Sequence, residues 1–227
     1  MNTFIRINIV TEGQTEETFV RDVLEEPMAW KLLGLTPRSV ETGRHRGQIF
    51  RGGLRTYAKA RGDIVRWLNS DPTAYVTTMF DLYGLPADFP GRSDASLLGD
   101  PYRKAELIEC HLAEDIANDR FIPYVQLHEF EGLLFSQVAA IDEALALISP
   151  RSRLRELAEI RAAVNSPEEI NDDERTAPSK RLLALYPGYD KPLFGSLIAQ
   201  RIGVDKIRSQ CPHFNAWLSR LEALASA

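Results

Sequence analysis

Cysteine is almost absent from this chain: 227 residues hold only Cys110 and Cys211. They are widely spaced and form no CxxC pattern, which excludes a disulfide framework and points to reduced thiols in a cytoplasmic protein. No run approaches the roughly 20 apolar residues of a membrane-spanning helix. Met1 to Arg6 lacks a basic stretch followed by an apolar core, so no secretion signal is expected there. Zinc-ligand spacings such as HxxxH and HExxH are missing, as is any His/Cys cluster, which disfavours zinc. Without GxxxxGK[ST] the chain is not itself a P-loop ATPase, and there is no GxSxG elbow for a serine nucleophile. Internal repeats and low-complexity tracts are also lacking. What remains is ordinary globular composition, long enough for one large domain or one domain with an appended subdomain.

The net charge of −5 argues against a protein that coats nucleic acid over its whole surface. Its distribution is uneven. From Arg38 to Arg66 seven Arg and Lys59 face only Glu41 and Asp63, a local net of +6, which leaves −11 for the remainder. Such asymmetry describes either a polyanion-facing patch on an acidic body or a set of solvated surface arginines.

Three strand-like runs each end in a carboxylate. Phe4 to Thr11, with Ile5, Ile7 and Ile9 at period 2, leads into Glu12-Gly13. Ala74 to Phe80 ends at Asp81, and Phe121 to Leu127 runs into His128-Glu129-Phe130-Glu131. Helical patterns separate the runs, so the strands are expected to be parallel, with their carboxyl ends on the edge where open α/β sheets bind ligands. Glu12, Asp81 and Glu129 or Glu131 would then meet. Carboxylates that meet repel unless a cation lies between them, and hard oxygen donors suit Mg²⁺ or Mn²⁺.

Between these runs, Thr11-x-x-Gln14 matches a capping box before the apolar stripe Phe19, Val20, Val23 and Leu24. A weak strand is expected near Pro37 to Glu41, a loop over Gly43 to Gly53, and a helix carrying Leu54, Tyr57, Ile64 and Leu68. The Gly- and Pro-punctuated stretch from Leu82 to Asp100 reads as a long functional loop, closed by the helix start Asp100-Pro101. From about Val138 only helical patterns occur, the last opened by Cys211-Pro212. The expected organisation is an α/β domain in residues 1–136 and a helical subdomain in 137–227 packed on it.

Each candidate residue has a plainer reading beside the chemical one. Glu12-Gly13 gives a tight turn into a helix N-terminus, an anion-friendly place, or is merely a cap, for which Glu is a poor choice. Glu16 either lines the same edge or is a first-turn acid favoured by the helix dipole. Asp81 is a ligand or a turn-initiating Asp. His128 is a ligand, a phosphate contact, a general base, or a satisfied polar side chain. In Pro178-Ser179-Lys180-Arg181, Lys180 either stabilises charge on a phosphoryl oxygen or belongs to a basic surface face.

Thr11-Glu12-Gly13-Gln14-Thr15-Glu16, Phe80-Asp81-Leu82-Tyr83-Gly84-Leu85-Pro86 with Asp88-Phe89-Pro90-Gly91, and Leu127-His128-Glu129-Phe130-Glu131-Gly132-Leu133-Leu134-Phe135 resemble a bacterial family, domain of unknown function 4276. Ala177-Pro178-Ser179-Lys180-Arg181 and Cys211-Pro212-His213-Phe214 extend the resemblance over nearly the whole chain. That family is similar to Toprim domains, as are the RloB proteins and the overcoming-lysogenization-defect type nucleases.

The resemblance implies a Toprim-like α/β fold, a parallel sheet flanked by helices with a helical C-terminal part. It also implies Mg²⁺- or Mn²⁺-dependent phosphodiester hydrolysis of DNA or RNA, in an anti-phage setting beside an ABC- or AAA-type ATPase. Glu12 matches the Toprim Glu, and Asp81 the first Asp of its Asp-x-Asp pair. The second Asp position holds Tyr83, so Glu129 or Glu131 would replace the missing ligand, and the Phe-Glu of RloB-like proteins favours Glu131. Glu12, Asp81, Glu129 and Glu131 are thus the expected metal set and Lys180 the charge-stabilising cation, with Glu16 and His128 in support. Arg44, Arg46 and Arg51 are the expected contacts to the nucleic-acid backbone. Tyr83 also favours a rival, a catalytically inactive Toprim-like module that senses or docks onto a partner ATPase. A phosphatase acting on small phosphate esters is the third reading.

Overall fold

The computed structural model describes residues 4–45, 48–51, 53–171 and 176–226, and only the backbone over the hairpin at 41–51. Strand β1 (Ile5–Thr11) realises the Ile5, Ile7, Ile9 alternation. Helix α1 (Gln14–Phe19) follows, then a π turn (Val20–Leu24) and α2 (Glu25–Ala29). The π turn lies just ahead of Pro27, which has no N–H to donate and crowds the carbonyl one turn earlier.

Strand β2 (Leu33–Ser39) starts earlier than the sequence implied and pairs parallel with β1, Ile5 opposite Leu33 through Thr11 opposite Ser39. It is an edge strand, which is where a sheet tolerates Pro37. The expected loop at Gly43–Gly53 is instead largely an antiparallel hairpin, β3 (Glu41–His45) with β4 (Gln48–Arg51), bulged between Glu41 and Gly43. Cross-strand pairing outweighs the local signal of glycine and arginine there.

Helix α3 (Tyr57–Ser70) leads to β5 (Tyr75–Asp81), parallel to β1 on the side away from β2. The long Gly/Pro stretch holds a 3₁₀ turn (Leu82–Gly84) and the short α4 (Arg92–Ala95). Helix α5 (Pro101–Ile116) begins as expected: Asp100 accepts a hydrogen bond from the Tyr102 N–H at 2.9 Å. The third strand-like run is split into β6 (Phe121–Ile122) and β7 (Val125–Gln126), both parallel to β5. Pro123 interrupts it because it cannot donate to the ladder. The Thr78 hydroxyl bridges the gap, accepting from the Tyr124 N–H at 2.9 Å and donating to its carbonyl at 2.8 Å.

After a 3₁₀ segment (Phe130–Gln137), the described residues form no further strand. They form α6 (Val138–Leu145), α7 (Leu154–Ala162), α8 (Pro178–Leu185), α9 (Lys191–Ile202), α10 (Val204–Gln210) and α11 (Pro212–Leu224). The fold is therefore α/β, a parallel sheet in the order β2-β1-β5-β6 flanked by helices, with a helical C-terminal region.

Strand alternation divides the core by sheet face. Ile7, Ile9 and Met79 pack with Phe19, Leu24, Phe194, Ile198 and Phe214 on one face. Val10, Val76 and Phe80 pack with Ile64 and Leu68 of α3 and with Ile108 and Leu112 of α5 on the other. Each such fully buried side chain contributes about 1.5–3 kcal/mol relative to exposure. Helix α11 is fixed to the sheet by polar contacts as well. The Trp217 indole stacks on Tyr124 at 4.3 Å and donates to the Thr77 hydroxyl at 2.9 Å. Glu168 accepts from the His213 and Phe214 N–H groups at 3.0 and 2.9 Å, satisfying the helix N-terminus. No described helix is long and apolar enough to cross a membrane.

Candidate active site

Parallel strands bring Glu12, just past β1, beside Asp81, the last residue of β5. The Asp81 N–H donates to Glu12 Oε2 at 3.3 Å. Gly84 closes the turn beneath: a Cβ there would stand 2.4 and 2.6 Å from the two Glu12 carboxylate oxygens, so any larger residue would require the carboxylate to swing out of this position.

Glu16 plays the local role its position allows. Helix α1 is capped at Gly13, two residues later than the expected Thr11 cap with Gln14 as its partner, and Glu16 Oε2 accepts the Gly13 N–H at 2.9 Å. Its other oxygen faces Lys191.

Lys191 was not singled out by sequence reasoning as a site residue, yet its ammonium is the centre of the cluster. Nζ lies 3.1 Å from Glu131 Oε2, 3.2 Å from Asp81 Oδ2 and 3.4 Å from Glu16 Oε1. It also stands 5.9 Å from the centre of the Phe130 ring. The contact with Glu131 Oε2 is one of charge, since among the described residues that buried oxygen has no aligned hydrogen bond. Lys191 is the first residue of α9, where the helix dipole disfavours a cation. The carboxylates hold it there, and a lysine in a helix's first turn, between capping Asp190 and Pro192, was the available signal.

The remaining acids are anchored by backbone donors. Asp81 Oδ1 accepts from the Phe130 N–H at 2.9 Å, and Glu129 Oε2 from the Ser179 N–H at 3.0 Å. Glu131 is fully buried in the 3₁₀ segment, where Tyr189 donates to Oε1 at 3.5 Å.

Electrostatically the cluster carries more negative charge than its lysine offsets. Burial, reinforced by Glu16, raises the Glu12 carboxyl to about 7. Burial likewise raises Asp81 and Glu131, against the lowering effect of Lys191. For Lys191 burial alone would depress the ammonium, but Asp81, Glu131 and Glu16 hold it well above the usual lysine range.

Glu12, Asp81, Glu129 and Lys191 open into a cleft of about 630 Å³, with Tyr83, Arg92 and Lys180 also on its walls. The expected residues thus divide. Glu12, Glu16, Asp81 and Glu131 gather around Lys191 or its immediate neighbours, and Glu129 lines the cleft. Lys180 stands on the exposed wall rather than inside the cluster. His128 lines an adjoining cavity instead. Arg44 and Arg51 lie on the paired hairpin strands, and Arg46 lies outside the described residues. Among the described residues no three His, Cys, Asp or Glu side chains are already disposed to hold a metal ion.

The chain is similar to solved forms of the C-terminal region of the Xanthomonas campestris pv. campestris OLD protein. The form phased with platinum is 18% identical, covering 93% of this chain and 98% of that one, at a TM-score of 0.37. The form phased with iodine is 15% identical over 96% and 98%, at 0.33. A likeness this loose decides nothing about the site. No curated protein sequence matches the chain. The profile of DUF4276, a domain of unknown function, matches residues 11–222, and the chain belongs to that family.

Proposed function

We propose that this member of the DUF4276 family is a divalent-cation-dependent nuclease that hydrolyses phosphodiester bonds in the cleft at the carboxyl edge of its sheet. The observation that carries this reading is the uncompensated acid cluster, with Glu12 raised to about 7, opening into a cleft that Lys180 and Arg92 also line. An edge that combines excess carboxylate with facing cations suits a phosphate ester bridged to the protein by a hard cation.

The donor set fits Mg²⁺ or Mn²⁺ in kind, since it is all oxygen. Lys191 already engages Glu131, Glu16 and one oxygen of Asp81, so Glu12, Asp81 and Glu129 are the residues that would hold the ion. When bound, it would supply Lewis-acid polarisation of the phosphate and a more acidic water. Lys191 keeps Asp81 and Glu131 oriented and limits their mutual repulsion. Lys180 and Arg92 face the cleft as partners for non-bridging phosphate oxygens. Arg44, Arg46 and Arg51 of the basic stretch extend the contact along the nucleic-acid backbone.

Tyr83 in place of an acid, together with an ammonium already inside the cluster, favours the second reading, an inactive module that docks onto a partner ATPase. Calorimetric titration of Mn²⁺ into the protein and into Asp81→Ala separates the two. Saturable binding lost in the variant, followed by Mn²⁺-dependent cleavage of DNA or RNA, supports the nuclease. Indistinguishable heats refute it and direct the search to the ATPase. An unchanged salt dependence of nucleic-acid binding in Arg44→Ala/Arg46→Ala would remove the arginines from the interface.

A further inference from the structure

A second cavity, about 510 Å³, adjoins the carboxylate cleft, and Tyr83 and Arg92 line both. Leu82, Lys104, His128 and Asn171 line this cavity too. Its volume falls within the roughly 300–1,000 Å³ typical of small-molecule sites. His128 adopts φ 58°, a left-handed conformation uncommon outside glycine and a frequent mark of functional sites. Two bonds fix it: its carbonyl accepts the Tyr83 N–H at 3.1 Å, and its Nδ1 accepts from Asn171 Nδ2 at 3.1 Å. The Tyr83 and His128 rings stand 5.6 Å apart on the same wall. Asn171 also donates to the Tyr83 hydroxyl, while its Oδ1 is buried with no partner among the described residues. A buried acceptor left without a donor is costly, and a ligand N–H would remove that cost.

We propose that this cavity is a nucleobase subsite, which takes one unstacked base of the strand whose phosphate occupies the neighbouring cleft. The proposal deepens the nuclease reading and rests on it for the strand, but binding of the base itself requires neither the carboxylates nor a metal. Each part of the wall matches a part of a nucleotide. Tyr83 and His128 offer ring faces for stacking, the mode by which proteins hold single-stranded bases. Asn171 Oδ1 accepts an N–H, which every nucleobase carries. Lys104 and Arg92 sit where phosphates flank the base, and Arg92 reaches the shared wall between base and scissile phosphate. The position of the expected second Asp would thus hold Tyr83 because that residue reads the base instead of binding metal.

The test is calorimetric binding of adenosine, guanosine, cytidine and uridine to the full chain in EDTA, with no phosphate or metal present. At least one nucleoside should bind saturably. Tyr83→Ala should weaken it about tenfold or more, the scale of one lost stacking contact. Ser96→Trp, which fills the cavity from its exposed rim and removes no core contact, should block it. Glu12→Gln, in the other cleft, should leave it unchanged. Absence of binding by all four nucleosides, or binding that survives both Tyr83→Ala and Ser96→Trp, overturns the subsite. Nucleoside binding without Mn²⁺ binding sustains the subsite and refutes the nuclease; Mn²⁺-dependent cleavage without nucleoside binding overturns the subsite alone.

Discussion

Replacing Glu12 by Gln should make this protein more stable at pH 8. The Glu12 carboxyl rises from its ordinary 4.5 to about 7 because folding buries it and places it beside Glu16. At roughly 1.4 kcal/mol per tenfold shift in a proton equilibrium, that rise corresponds to about 3 kcal/mol of destabilisation once the group is ionised. Glu12 borders the open cleft, where solvent screens part of this, so about 2 kcal/mol is the expected gain. The sign follows from proton uptake. Between about pH 4.5 and 7 the folded state holds a proton that the unfolded state has released, so stability falls as pH rises through this window and is flat above it. Gln removes the ionisable group while its amide oxygen can still accept the Asp81 N–H. The assay is urea unfolding of both proteins in EDTA at pH 4.5 and pH 8. The expected result is a gain of about 2 kcal/mol at pH 8 that shrinks toward zero at pH 4.5. A variant less stable than the parent at pH 8, or an equal difference at both pH values, would refute the claim that the cluster is short of positive charge.

The same electrostatics fix two further outcomes. Lys191→Met leaves buried Asp81, Glu131 and Glu16 without their shared cation, and should cost about 3 kcal/mol at pH 8 in denaturant unfolding, the scale of a broken buried pair; a neutral result would show that the ammonium is not structural. Gly84→Ala forces the Glu12 carboxylate out of its place, since the new Cβ would stand 2.4 Å from Oε2. It should weaken Mn²⁺ binding by at least about tenfold, about 1.4 kcal/mol, in calorimetric titration, and undiminished affinity would mean that Glu12 is not a ligand.

The acid edge was legible in sequence because it follows from strand periodicity and chain direction alone. Ile5, Ile7 and Ile9 mark a strand, helices between the apolar runs dictate parallel pairing, and parallel pairing puts Glu12 and Asp81 on one edge. The Asp100-Pro101 and Cys211-Pro212 helix starts were legible for the same reason, since capping is a local property. The hairpin at Glu41–Arg51 was not, because its glycines and arginines signal a loop locally and only cross-strand pairing reverses that. The break at Pro123 was written in the sequence, but the Thr78 hydroxyl that bridges it comes from another strand.

Sequence by itself therefore determined the class of fold, the family and the identity of the acids. Tertiary structure decided which cation meets them. Lys191 lies 110 residues beyond Asp81 and reaches it only because α9 packs against α1, so its unusual place in a helix's first turn marked it without saying which acids it meets. Structure likewise turned His128 away from the carboxylates and toward Asn171, a separation of 43 residues. Local forces act over a few residues of chain, and packing alone sets which distant charges share one low-dielectric space.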